Sequence, residues 1–197
     1  ISHDLRTPLA RLRLEAEMSV EDEMARNAMA QDIDQLAAII SKFMDYARPG
    51  DVKLVPVHLS SLVDREMAAF RDTSQIRITA RVAIDTKVMA DETELGRVLQ
   101  NLFENARRYG RSTDTGIARV VVTYARTGPW VILSVRDHGP GVDPRKLGQL
   151  TTPFFRGDAA RTAATGAGLG LAIVEKAVQR MGGSFEIANA PDGGLVA

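Results

Sequence analysis

The sequence lacks cysteine altogether, which excludes disulfide bonds and thiolate metal sites and permits a reducing compartment. It also lacks long apolar runs. The longest, residues 36–40, has five residues, whereas a membrane-spanning helix needs about 18. The net charge is zero because 25 basic residues balance 25 acidic ones, so charge gives no reason to expect a nucleic acid or an anionic membrane as a partner. A hydrophobic content of 45% then indicates an ordinary globular chain.

Glycine is absent from residues 1–48, whereas residues 49–197 hold all 16 glycines and seven of the eight prolines. The first part carries nine acidic and six basic residues, a charge of −3, and the second part carries the compensating +3. The Pro49-Gly50 pair at the junction is typical of a helix end followed by a turn. We therefore predict a helical domain at residues 1–48, a linker at 49–56 and a second domain at 57–197.

Apolar residues in the first part recur at steps of three and four, as on a helix with one apolar stripe. They form two groups, Leu5, Leu9, Leu12, Ala16 and Ser19, and then Met29, Ile33, Leu36, Ile40, Phe43 and Ala47. The polar residues 21–23 between the groups predict the bend of a helical hairpin. Two helices cannot bury a core alone, so we predict a homodimer whose two hairpins form a four-helix bundle. The alternative is that the hairpin packs on its own C-terminal domain.

The second part alternates helix and strand patterns. Helices are predicted at residues 60–70 with Ser60 or Ser61 as N-cap, at 91–109 with Asp91 as N-cap and Glu94 in a capping box, and at 169–181. Strands are predicted at residues 76–80, 119–125, 130–136, 184–188 and 195–197. This mixture predicts an α+β fold, in which a helical layer covers one face of a mixed sheet as an α/β sandwich.

Two glycine-bearing stretches could bind a nucleotide. In DHGPG, residues 137–141, a carboxylate can accept a hydrogen bond from an amino group beside glycines that admit a flat ring; the alternative is an ordinary turn. In GAGLGL, residues 166–171, glycines at a helix N-terminus suit a phosphate group; the alternative is a flexible hinge. The second stretch is neither a P-loop nor a dinucleotide-binding turn, because no Lys-Ser/Thr follows and the spacing differs.

Asn101 and Asn105 lie four residues apart in the strongest predicted helix and therefore share one face. Amide oxygens are acceptable ligands for Mg²⁺, which keeps most of its waters and binds substrate phosphates. Asparagine is a poor helix former, so two of them inside a strong helix favour a ligand site over the alternative of a solvated face.

His3 stands at the start of the first apolar stripe, on a face that differs from that of Leu5 and Leu9. A neutral imidazole is a competent nucleophile near pH 7 because its ordinary pKa is about 6.5. Asp4 could orient the ring or take its proton, and Thr7 lies one helical turn further on. The alternative is an ordinary surface histidine.

Together, these stretches resemble the sensor histidine kinases of two-component systems. Residues 3–9, HDLRTPL, resemble the phosphoacceptor H box of that family, and residues 101–109, NLFENARRY, resemble its N box. Residues 137–141 and 166–171 resemble its two glycine boxes, and PFFRGD at residues 153–158 resembles its F box. The H box and the F box, the latter continued by Ala160-Arg161-Thr162, are most similar to those of osmosensing kinases of the EnvZ type.

The resemblance implies roles for the matched residues. His3 would be the phosphorylated histidine, Asp4 its acid/base neighbour, and Thr7 the residue that positions water when a phosphorylated regulator is dephosphorylated. ATP would be the nucleotide, and Asn105 with Asn101 would hold Mg²⁺. The residues implied to bind the nucleotide are Asn101, Asn105, Arg108, Tyr109, Asp137, Gly139, Gly141, Arg156, Gly166, Gly168, Leu169, Gly170 and Leu171.

Within that site the resemblance implies a division of labour. Arg108 would neutralise phosphate charge, Tyr109 would lie against the adenine, and Asp137 would accept a hydrogen bond from its amino group. Gly139 and Gly141 would make room for the ring. Residues 152–168 would form a lid with Arg156 near the phosphates.

The resemblance also implies partners and a location. A homodimer would pass its phosphoryl group to the receiver domain of a response regulator, of the OmpR type, and would dephosphorylate that regulator. No nucleic acid and no direct membrane contact are expected for this stretch. We expect it to be a fragment, the cytoplasmic portion of a bacterial inner-membrane protein.

Two other functions remain as alternatives at this point. One is a dimeric ATP-binding scaffold that transfers no phosphoryl group, and the intact His3-Asp4 pair argues against it. The other is an ATPase of the gyrase or chaperone kind, and the helical hairpin of residues 1–48 argues against that.

Overall fold

The protein, seen in a computed structural model, is described for residues 2–48, 50–71, 74–156 and 166–197, with the side chains of residues 2–4 and 6 left out. The helices are α1 Ser2–Ser19, α2 Glu23–Ala47, α3 Leu59–Ala68, α4 Glu92–Tyr109 and α5 Gly170–Arg180, with a 3₁₀ helix at Pro144–Gln149. The strands are β1 Val55–His58, β2 Ile76–Arg81, β3 Lys87–Ala90, β4 Ala118–Thr127, β5 Trp130–Asp137, β6 Ala188–Asn189 and β7 Leu195–Val196.

The first two helices form the predicted hairpin. The carboxylate of Asp22 caps α2 by accepting a hydrogen bond of 2.9 Å from the backbone N–H of Ala25, and Arg13 of α1 forms an ion pair with Asp34 of α2. The hairpin nevertheless has almost no core of its own. Ala16 is buried in α1, and α2 contains no buried residue among those described. None of the described helices is long and apolar enough to cross a bilayer.

The C-terminal part has the predicted α+β sandwich architecture. Its five-stranded sheet has the order β2-β4-β5-β7-β6, in which β2 and β4 are parallel and every other pair is antiparallel. A separate antiparallel pair joins β1 to β3. Helices α3, α4 and α5 pack against one face, and the core between the layers includes Val63, Leu99, Phe103, Val122 and Val174. The fold class is therefore confirmed.

Helix boundaries follow the caps where a cap exists. The carboxylate of Asp91 accepts hydrogen bonds from the backbone N–H groups of Thr93 and Glu94, at 3.0 and 3.1 Å, so α4 begins where the sequence predicts. The predicted N-cap of α3 is wrong. That helix begins at Leu59 after His58, which provides no side-chain cap. Ser60 instead donates a hydrogen bond of 3.2 Å to the carbonyl oxygen of Ile84, because a neighbouring loop offers an acceptor.

The strands differ more from the prediction. The β1–β3 pair was not predicted, because Pro56 lies within β1 and a proline usually argues against a strand. Two residues of the predicted linker, Val55 and Pro56, belong to β1. The predicted strand at 184–188 is reduced to β6, since its partner β7 has two residues and pairs with it only there.

Candidate functional site

A cavity of about 1100 Å³ lies between α4, the loop after β5, the start of α5 and helix α2. It brings together most of the residues predicted to bind a nucleotide. The predicted residues at its wall are Asn101, Asn105, Arg108, Tyr109, Asp137, Gly141, Arg156, Gly166, Gly168, Leu169, Gly170 and Leu171. Gly139 does not line it. Thr7 lies on α1, exposed and outside the cavity. The side chains of His3 and Asp4, and residues 157–165 of the predicted F box and lid, lie outside the described residues.

Asp137 lies at the cavity wall. It is the last residue of β5 and is 8% exposed. Its Oδ1 accepts hydrogen bonds from the backbone N–H of Gly139, at 2.9 Å, and of Leu195, at 3.2 Å. These two contacts fix the carboxylate in one orientation. Within the described part of the chain Oδ2 accepts no hydrogen bond, so it remains an acceptor for a ligand donor such as an amino group.

The glycines around Asp137 allow close backbone packing. A Cβ added to Gly139 would lie 2.6 Å from the Cα of Gly110, and one added to Gly110 would lie 2.7 Å from the Cβ of Asp137. Gly194 has a φ of +88° and passes against the backbone of Asp137. The side-chain direction of Gly139 is thus occupied by the backbone of Gly110.

Gly141 also has a protein neighbour, because its added Cβ would lie 2.8 Å from Asn189 Oδ1. The same oxygen accepts a hydrogen bond from Val142, and the Asn189 amide donates to the Val142 carbonyl. Sequence reasoning missed the supporting residues Gly110, Asn189 and Gly194. Each of them packs against a residue that is distant in sequence, and the sequence alone does not show which residues come together.

The asparagine pair lies on α4, at another part of the cavity wall. Asn101 is 4% exposed, and its amide donates a hydrogen bond of 2.8 Å to the carbonyl of Arg97, one turn earlier in α4. That bond turns the carbonyl oxygen, Oδ1, the other way, where the ammonium of Lys42 donates to it at 2.9 Å. Asn105 is partly buried at the cavity wall.

Glu104 organises the cations beside the asparagines. Its carboxylate accepts hydrogen bonds from Arg107 and from Arg108. Burial would raise the pKa of Glu104, but these hydrogen bonds outweigh it and lower that pKa below its ordinary value. The carboxylate therefore stays ionised and holds Arg108 at the cavity wall.

Phe154 and Gly168, which lie on either side of residues 157–165 in the sequence, are held together. Phe154 has a positive φ of 65°, and its backbone N–H donates a hydrogen bond of 2.8 Å to the carbonyl of Gly168. Gly168 also has a positive φ, and an added Cβ would lie 2.8 Å from the backbone of Phe154. At Gly166, an added Cβ would lie 2.8 Å from the Tyr109 hydroxyl. A side chain at Gly168 would therefore disturb the cavity wall, whereas one at Gly166 would require only that the Tyr109 side chain move.

Helix α2 contributes the fourth wall of the cavity, so the hairpin packs on the C-terminal domain as the alternative interpretation allowed. Phe43 stacks on Phe154 with ring centroids 6.3 Å apart. Lys176 of α5 donates a hydrogen bond of 2.9 Å to the carbonyl of Tyr46 and lies over its ring. Lys42 reaches Asn101 from the same helix. Sequence reasoning missed Lys42, since nothing local marks a helical lysine that faces another domain.

The described residues contain no cluster of three or more histidine, aspartate or glutamate side chains that could hold a metal ion. A cation in this cavity would therefore rely on amide oxygens, water and the oxygens of a bound substrate, which suits Mg²⁺.

Comparison with known proteins decides the family. Residues 90–197 match the family of histidine kinase-, DNA gyrase B- and HSP90-like ATPases, and residues 1–51 match the His Kinase A phospho-acceptor domain. This chain belongs to the sensor histidine kinases. The sensor protein RstB of Escherichia coli K12 is 36% identical over 208 residues, which cover 98% of this kinase chain and 45% of RstB. The kinase/phosphatase MprB of Mycolicibacterium smegmatis is 32% identical, over 98% of this chain and 41% of MprB.

Solved structures show the same architecture. Full-length ShkA in complex with AMPPNP has a TM-score of 0.77 and 25% identity, over 99% of this kinase and 43% of ShkA. ThkA in complex with the response regulator TrrA has a TM-score of 0.68 and 21% identity, over 98% of this kinase and 57% of ThkA, and that likeness concerns the fold. The kinase chain spans less than half the length of RstB and MprB. The resemblance to sensor histidine kinases is confirmed.

Proposed function

We propose that this kinase core phosphorylates His3 from ATP and passes the phosphoryl group to an aspartate of a response regulator. The observation that supports this most is the cavity itself, whose walls come both from the ATPase fold and from helix α2 of the hairpin that carries His3. A nucleotide bound there would have its reactive end beside the phosphoacceptor hairpin, and positioning is the main requirement of phosphoryl transfer.

The nucleotide would lie between Asp137 and the asparagine pair. Asp137 Oδ2 would accept a hydrogen bond from the adenine amino group, whereas guanine in the same orientation would present a carbonyl oxygen there, and Tyr109 would lie against the ring. Arg108 and Arg156 would neutralise phosphate charge at the other end.

Mg²⁺ fits the donor set at the asparagine end. Asn105 offers an amide oxygen at the cavity wall, and no carboxylate cluster competes for the ion among the residues described. Asn101 Oδ1 already accepts a hydrogen bond from a cation, Lys42, so Asn105 is the stronger candidate of the pair. When bound, Mg²⁺ would neutralise phosphate charge and make the leaving diphosphate more stable.

The transfer step uses the imidazole as a nucleophile. One ring nitrogen of His3 would form a bond to the γ-phosphorus while the bond between that phosphorus and the β,γ-bridging oxygen breaks, which leaves ADP. Asp4 would orient the ring and accept the proton from its other nitrogen. The aspartate of a receiver domain of the OmpR type would then attack the same phosphorus and break the bond between phosphorus and nitrogen, and Asp4 would return its proton to the ring, which leaves neutral His3.

A homodimer would bury the apolar surface that one hairpin leaves exposed. Leu12 of α1 and Met29 and Leu36 of α2 belong to the apolar stripes and are each roughly half exposed, which is costly for one isolated hairpin. A second hairpin would cover them in a four-helix bundle.

Dephosphorylation of the regulator is the second proposed activity. MprB, one of the relatives, is named a kinase/phosphatase, and this chain has Thr7 in the matching motif, exposed on α1. Its hydroxyl would position a water molecule for attack on the acyl phosphate.

We also propose that the chain is the cytoplasmic portion of a bacterial inner-membrane sensor, as expected of relatives named sensor proteins.

The test is incubation with γ-³²P-ATP and Mg²⁺, followed by acid and alkali treatment. We expect a protein-bound label that survives alkali, is lost in acid, and is absent from His3→Gln. The matched control is His58→Gln, an exposed histidine of β1 that should label normally. Hydrolysis of ATP without a label on the protein would support the ATPase alternative. Binding of ATP without hydrolysis and without a label would support the ATP-binding scaffold.

A further inference from the structure

Lys42 is a hairpin residue that enters the nucleotide cavity, although nothing in the family match assigns it a role. It lies on α2, and its ammonium donates a hydrogen bond of 2.9 Å to Asn101 Oδ1 on α4. These residues are 59 positions apart in the chain, so only the docked arrangement of hairpin and catalytic domain brings them together. Both line the cavity.

The charge of Lys42 is poorly compensated by the protein. Its hydrogen-bond partner, Asn101, is a neutral amide, and within the described ranges no carboxylate forms an ion pair with it. The nearby carboxylate of Glu104 is already bound by Arg107 and Arg108. Burial lowers the pKa of Lys42 and outweighs the opposing attraction of Asp45 and Glu104. A partly buried cation in this position favours an anion next to it.

Neighbouring contacts hold Lys42 in place. Phe43, the next residue, stacks on Phe154, and Tyr46, one turn later, is held by Lys176. Asn101 is itself fixed by its bond to the Arg97 carbonyl. The ammonium is therefore positioned before any ligand arrives, which reduces the entropy lost on binding.

We propose that Lys42 binds the terminal phosphate of the nucleotide, with Asn101 orienting its ammonium and Asn105 left to hold Mg²⁺. This inference rests on the proposed function, since it assumes ATP in the cavity. The hairpin would thus contribute a binding residue that recognises the triphosphate and distinguishes it from the diphosphate. Docking of the hairpin would then favour ATP over ADP.

The experiment compares the affinity for AMPPNP, a non-hydrolysable ATP analogue, with that for ADP, by calorimetry on the whole chain with Mg²⁺. Lys42→Met should lower the affinity for AMPPNP about tenfold, the scale of one charge-assisted hydrogen bond, and change the affinity for ADP less than about twofold. Lys42→Arg, which keeps the positive charge, should restore part of the affinity for AMPPNP that Lys42→Met loses. Lys176→Met is the matched control. It removes a lysine that holds the same part of α2 but does not line the cavity, and its AMPPNP-to-ADP ratio should equal that of the wild type.

Other results would overturn the inference. Equal losses for both nucleotides in Lys42→Met would mean that the lysine only holds the two domains together. Tighter AMPPNP binding would mean that its ammonium competes with Mg²⁺ for Asn101, and an unchanged ratio would mean that it does not reach the phosphate. Because this measurement needs no phosphoryl transfer, it is independent of the labelling test. A preserved ratio effect with no label on His3 would reject the kinase proposal alone.

Discussion

The carboxylate of Asp137 shows how one residue of the site is held by its surroundings. Two backbone N–H groups bind Oδ1, while Gly110 and Gly194 pass against the same residue where no side chain would fit. A side chain at Gly194 would also have to adopt a positive φ. Recognition of a ligand at this end of the cavity therefore depends on residues that need not touch the ligand.

A residue of the site could be predicted from the sequence when the residues next to it in the chain form a recognisable pattern. Asp137 stands beside two glycines, and Asn101 and Asn105 stand in a strong helix pattern, so each is visible locally. Lys42 is not, because an isolated lysine on a helix is most often solvated. Its position depends on how two parts of the chain that are distant in sequence pack together.

Thr7 gives a prediction at this scale. Thr7→Arg should abolish dephosphorylation of the phosphorylated regulator, since a bulky cation replaces the hydroxyl that would position water, while labelling of His3 continues at a comparable rate. Thr7→Ser, which keeps the hydroxyl, should retain both activities. The two rates are measured separately, with labelled kinase and with labelled regulator. Equal loss of both in Thr7→Arg would contradict the assignment.

Among whole elements, α4 was predicted to within one residue, whereas β1 and β3 were not predicted and β6 is shorter than predicted. The bounds of α4 follow from the Asp91 cap and a regular apolar face, both of which are local. The strands β1 and β3 exist because they pair with each other across about 30 residues of chain. Pairing of that kind leaves little local signal.

The Asp91 cap gives a prediction for the stability of α4. Asp91→Ala should lower the free energy of unfolding by about 1 kcal/mol, the usual cost of losing an N-cap side chain. Asp91→Asn keeps a capping oxygen and should lose less. Urea denaturation followed by circular dichroism measures both, and equal losses in the two variants would contradict a capping role.

The same residue makes stability depend on pH. Hydrogen bonds from the backbone of Lys53 and of Glu94 lower the pKa of Asp91 below its ordinary value. The ionised Asp91 carboxylate therefore stabilises the folded state. This stabilisation is fully present above the unfolded-state pKa of aspartate, about 3.9, and is lost as the pH falls through the lower pKa of the folded state. The difference between wild type and Asp91→Asn should therefore shrink as the pH falls below about 4.

At the scale of the whole molecule, the exposed apolar stripe of the hairpin predicts an oligomer. Leu36 is 50% exposed on α2, and a charge there would be buried in the predicted bundle at high cost. Leu36→Glu should yield monomers where the wild type is dimeric, as measured by sedimentation equilibrium over a range of concentrations. Asn27→Glu, an exposed position on the opposite face of α2, should leave the dimer intact. A monomeric wild type would contradict the proposal.

The hydrogen bond of 3.0 Å from the backbone of Lys53 to Asp91 Oδ2 has a mechanical consequence. The segment that leaves the hairpin is tied, through one carboxylate, to the first turn of the helix that carries Asn101 and Asn105. We therefore expect a displacement of that segment to move the first turn of α4 and, through the continuous backbone of that helix, Asn101 and Asn105.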